Sequence, residues 1–126
     1  MSVLTQPPTM GDVLKYELNP NYTRETVTLL AGATYPVGAV LGRVTASGKY
    51  KLSTSGGSDD AQTATAVLLY ATDASAADQE AIVIARGPAI ISKAALVFDA
   101  SVDDAAKTAT KHGQLVALGI VPRDTA

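Results

Sequence analysis

Short aliphatic and β-branched runs, each cut off by glycine, proline or serine, constrain this chain more than any other feature. The clearest are Gly38 to Leu52 (GAVLGRVTASGKYKL) and Glu80 to Ile91 (EAIVIARGPAII). Runs of that length and branching, closed by turn formers, read as strands and not as helices.

The rest of the chain fits the same plan. Thr26 to Leu30 is a strand ended by Ala31-Gly32-Ala33, and Tyr35-Pro36-Val37-Gly38 is a turn. A strand over Val40 to Thr45 returns through Ala46-Ser47-Gly48, where glycine supplies the positive φ a hairpin needs. In the return strand, Lys49 to Leu52, Tyr50 and Leu52 share one face and Lys49 and Lys51 the other. Thr65 to Tyr70 is apolar on both faces, as a fully buried strand would be. Glu80 to Arg86 and Ala89 to Ser92 are strands separated by a Gly87-Pro88 bend, and Ala95 to Phe98 and Ile120-Val121 add two more. Ser53 to Thr63 and Ala71 to Gln79 are polar loops. One helix is expected late, capped by Ser101, with Asp103 and Asp104 in its first turn and Gly119 at its end. Gly113 is a point where it would break or kink. The fold class is therefore mainly β with one C-terminal helix.

The first residues follow a different rule. Met1 to Tyr22 holds Pro7, Pro8 and Pro20 among thinly spaced apolar residues, which excludes a continuous helix. Leu14, Tyr16 and Leu18 alternate with polar residues and suit a short strand with no evident partner. The expectation is an extended N-terminal arm over residues 1–24, ordered on a partner, ahead of a globular domain over residues 25–126.

Composition narrows the function. A chain of 126 residues is one domain by length. Its core is aliphatic, since 47% of residues are hydrophobic and only 5% aromatic. A net charge of −2 with scattered lysines and arginines argues against a nucleic-acid partner. Without cysteine there are no disulfides or thiolate metal sites. No apolar run approaches bilayer length, so no membrane partner is expected, and the N-terminus lacks the pattern of a secretory signal.

Candidate chemistry is sparse. The single histidine, His112, reads as an exposed cation toward a helix C-terminus. Asp59-Asp60 lacks calcium-loop spacing, and Asp73, Asp78 and Glu80 read as solvated loop charge. Lys49, just after a hairpin turn, could carry a covalent cofactor, but Gly48 and Tyr50 are not the neighbours carrier domains place there. An edge-strand lysine that discourages aggregation is the simpler account. No cofactor, metal or catalytic residue is expected.

The ordered series of these pieces resembles the bacteriophage head decoration family, the small capsid-stabilising proteins of the lambda D type. The resemblance is carried by Arg24 to Thr28, Gly38 to Thr45 with Ser47 to Tyr50, Asp60 to Thr63, Ala66 to Leu69 and Asp73 to Ala76. It continues through Ala81 to Ala89, Ala94 to Phe98 and Leu118 to Val121. It implies a β-clip fold, a bent ribbon with incomplete barrel packing, and no enzymatic activity. It also implies a homotrimer on the outer capsid surface at three-fold and quasi-three-fold positions, clamping neighbouring major capsid protein subunits after the shell expands. Before assembly such a protein resides in the host cytoplasm. The expected capsid-binding arm residues are Leu4, Thr5, Gln6, Pro7, Pro8, Val13, Leu14, Tyr16 and Leu18, with Gly87 and Pro88 as trimer contacts. A cofactor-bearing barrel on Lys49 and a tail or fibre component are the alternatives.

Overall fold

A computed structural model describes residues 10–124. In chain order they form α1 (Met10–Val13), β1 (Leu14–Glu17), α2 (Pro20–Thr23), β2 (Arg24–Leu29), β3 (Thr34–Tyr35), β4 (Val40–Arg43) and β5 (Tyr50–Leu52). β6 (Ala64–Leu68), β7 (Thr72–Asp73), β8 (Gln79–Ile84), β9 (Ala89–Ser92), α3 (Ala105–Val116) and β10 (Ile120–Arg123) follow. The fold is mainly β with one long C-terminal helix, as expected.

Five strands form a ring in the order β2-β5-β4-β6-β8, with β8 returning to β2. The ring is uneven. β2 and β8 pair antiparallel from Arg24↔Ile84 to Leu29↔Gln79, whereas β2 meets β5 at the single pair Leu29↔Tyr50. Past that pair the strands part, so the barrel is incomplete.

Beside it lies a three-stranded sheet, β1-β9-β10, with β1 antiparallel and β10 parallel to β9. Parallel neighbours need a long crossover, and α3 supplies it. Asp104 caps that helix by accepting from the Lys107 amide at 2.8 Å. Ser101, the expected cap, instead donates to Asp99 at 2.6 Å and accepts from the Ser55 amide at 2.9 Å. The helix runs uninterrupted through Gly113, and Gly119, at φ 82°, turns the chain into β10. Ala95 to Phe98 is not a strand. Lys93–Ala95 is a 3-10 turn, and only Val97 forms a bridge, to Ala39.

Two cores result. Leu29, Leu41, Ala66, Leu68, Ala81 and Val83 fill the barrel. Val40, Val67 and Ile84, the alternate residues of the same strands, point outward and pack with Val13, Ile91, Leu115 and Ile120. β4, β6 and β8 are therefore a wall shared by both cores, which is why their sequences are apolar on successive positions.

Residues ahead of position 24 make contacts with the rest of the fold. Val13 is fully buried in the outer core, and β1 pairs with β9 through Leu14↔Ile91 and Glu17↔Ala89. α2 is held by Asn19, which accepts from the Asn21 amide at 2.9 Å, with Pro20 at its first position. The partner of β1 is far away in sequence, so local pattern could not reveal it.

Candidate functional site

Building outward from β1, three apolar side chains remain uncovered. Tyr16, Leu18 and Tyr22 are 49%, 59% and 56% exposed, although Val13 and Leu14 just before them pack inward. β1 is an edge strand, so one side of it has no neighbour among the described residues. The Leu18 amide donates to the Pro88 carbonyl at 3.0 Å, placing exposed Pro88 beside it.

A charged network fixes this segment. Arg24 Nη2 meets Glu17 Oε1 at 2.6 Å, and the Thr23 hydroxyl donates to Glu17 Oε2, also at 2.6 Å. Burial pulls the Glu17 carboxyl up, but hydrogen bonds from Arg24 and Thr23 and the Arg24 charge outweigh it and hold it below its ordinary value. Arg86 binds both the Tyr22 carbonyl and the Glu25 carboxylate, and its guanidinium lies 5.6 Å from the Tyr22 ring centroid. Next to this ring a shallow recess of about 350 Å³ is lined by Pro20, Asn21, Arg24, Glu25, Thr26 and Ile82. Rigid tyrosines, an arginine and an aliphatic rim, with the charges already paired, are the makings of a protein contact surface.

The expected site residues divide. Tyr16, Leu18 and Pro88 lie on this surface; Leu4, Thr5, Gln6, Pro7 and Pro8 lie outside the described residues. Val13 is fully buried in the core, and Leu14 is partly buried against it. Gly87 also has an internal use. Its amide donates to the Leu118 carbonyl at 2.8 Å, and a Cβ there would overlap the backbone of Gly119.

The polar candidates are explained by local partners. Lys49 Nζ lies 2.5 Å from Asp78 Oδ2, and Lys51 pairs with Asp59 at 2.6 Å. Asp73 accepts from Thr34 and Ser75, which, Ser75 first, hold it below the usual carboxylate range. Among the described residues no three His, Cys, Asp or Glu side chains gather as a metal site would require. No described helix is long and apolar enough to cross a membrane.

His112 departs from expectation. It lies in the body of α3, half-buried against Phe98 with ring centroids 5.9 Å apart, and its Nε2 is buried without a hydrogen-bond partner. Burial, with the Lys93 charge adding to it, pulls the imidazole below its ordinary value.

Tyr22, Arg86 and Lys111 were missed by sequence reading. The signal for Lys111 was its spacing of four from Leu115, the other buried residue of α3. A lysine is too readily taken as exposed for that spacing to register.

A family model described as bacteriophage lambda head decoration protein D matches residues 3–120. No curated protein matches the chain.

Proposed function

The chain belongs to the bacteriophage lambda head decoration protein D family, and on that premise we propose that it binds the outside of the expanded head as a homotrimer. Its role is phage capsid decoration. In our reading the trimers occupy three-fold and quasi-three-fold positions and clamp neighbouring major capsid protein subunits, by contact and without catalysis. Before assembly the protein resides in the host cytoplasm.

The observation that carries the contact reading is the uncovered line Tyr16-Leu18-Tyr22. Tyr16 lies on the edge strand β1, Leu18 just past its end and Tyr22 in α2, all three exposed beside the buried Val13. An edge strand can accept backbone hydrogen bonds from an added strand, with alternate side chains setting register. In the same reading, the N-terminal residues before this edge take part in the contact as an arm. Each contact is small, but three on one trimer act as linked modules, and avidity can exceed the single affinity by roughly 10²–10⁴. A three-fold position also presents the same surface three times, which a trimer matches.

The test uses expanded heads mixed with the full-length protein and with a Tyr16→Ser/Leu18→Ser variant. The native protein should appear by electron cryomicroscopy as three-fold densities on the exterior. The double variant should keep its circular dichroism spectrum yet bind at least tenfold more weakly. Unchanged occupancy would remove this edge from the contact, and densities of isolated single copies would remove the trimer.

A further inference from the structure

Lys111 is 1% exposed, and among the described residues no carboxylate forms an ion pair with it. Its ammonium instead donates to three neutral oxygens: Ser53 Oγ at 2.9 Å, the Thr54 carbonyl at 2.6 Å and the Gln62 carbonyl. All three belong to the loop between β5 and β6, two at its start and one at its end. Ser53 is also a relay within the loop, since its hydroxyl donates to the Ala61 carbonyl at 2.7 Å while receiving the ammonium. Close by in sequence, Gln62 Oε1 is buried with no partner. One turn along α3, Gln114 accepts from the Ala64 amide at 2.8 Å and closes the same stem.

Carbonyl and hydroxyl oxygens converging on one positive charge are the donor set by which proteins hold small cations. We propose that residues 53–62 form an oxygen cradle for a monovalent cation, that the Lys111 ammonium is its built-in occupant, and that occupancy keeps the loop closed. The geometry explains how a polar loop rich in glycine and serine, STSGGSDDAQT, keeps one conformation. Both stems converge on the Lys111 ammonium, while the Ser55–Ser101, Lys51–Asp59 and Ala64–Gln114 contacts hold the loop elsewhere, so releasing the ammonium loosens the stems while the barrel, with its separate core, remains intact. Thr54 also lines a groove of about 300 Å³ with Leu30, Tyr35, Leu52 and Asp99, so the cation steadies one wall of that groove. The cost of burying the charge is visible in the direction of its titration: burial pulls the Lys111 ammonium below its ordinary value, with the Asp99 charge opposing.

Truncating the side chain to Ala removes the ammonium and leaves a channel with the outline of n-propylammonium. Hydrogen exchange followed by mass spectrometry on the full-length chain reads the result. In Lys111→Ala, amides of residues 53–63 should exchange at least tenfold faster than in the native protein, with β6 and β8 still protected. Adding n-propylammonium should restore loop protection, and tetramethylammonium at equal ionic strength should not. Lys111→Met, which keeps the stem volume without the charge, should release the loop and resist rescue. Unchanged loop exchange in Lys111→Met overturns the proposal, as does release in Lys111→Ala that n-propylammonium leaves untouched. Loss of loop and barrel protection together in both variants overturns it as well, because the loop would then not be a separable unit.

Discussion

At the scale of single residues, burial decides what each side chain can do. Val13 and Leu18 are both aliphatic and close in sequence, yet Val13 is fully buried and Leu18 is 59% exposed. Burying such a side chain is worth roughly 1.5–3 kcal/mol, so Val13 serves stability and Leu18 is free for contact. His112 shows the same control over charge. Well above about pH 6.5 its imidazole is neutral whether the chain is folded or not. As pH falls below that value, the unfolded chain takes up the proton first, because the folded value is depressed, and stability drops. The urea midpoint should therefore decline as pH falls through about 6.5, and His112→Leu should flatten that decline. An unchanged pH slope in the variant would show that the ring titrates normally. None of this was legible from sequence, because a lone histidine in a helix carries no mark of which face it occupies.

Elements were more readable. Turn chemistry and β-branching located most of the strands, and Gly119 marked the end of α3 correctly. Errors fell where a long-range contact overrode local preference. Gly113 was expected to interrupt α3, but the hydrogen-bonded helix, packed through Leu115, runs through it. Space around it is open, so Gly113→Ala should stabilise the protein by about 1 kcal/mol, the usual helix-interior difference between these residues. Gly42 in β4 should respond in the opposite sense. A Cβ there would overlap the carbonyl of Ala61, on the loop held by Lys111, so Gly42→Ala should cost about 3 kcal/mol. Thermal or urea unfolding of the two variants checks both signs, and equal effects would contradict the packing described.

For the whole molecule, the question is where the decoration domain starts. Removing Met1 to Thr9 should leave the melting temperature within about 3 °C of native. Removing Met1 to Tyr22 strips away Val13, the β1–β9 pairing and the Glu17–Arg24 pair. That truncation should lower Tm by more than about 10 °C, read by differential scanning calorimetry. Equal melting of the two forms would support a boundary at residue 24. Alternation, turn residues and the order of the pieces were enough to establish a mainly β chain with a late helix and its family resemblance, because those properties are local and repeat along the chain. Which strand lies beside which was decided only in three dimensions. The pairing of Leu14 with Ile91, and the burial of Lys111 against Ser53 and Gln62, join residues far apart in sequence. Apolar burial favours the first and converging hydrogen bonds offset the cost of burying the charge in the second, and no local periodicity records either.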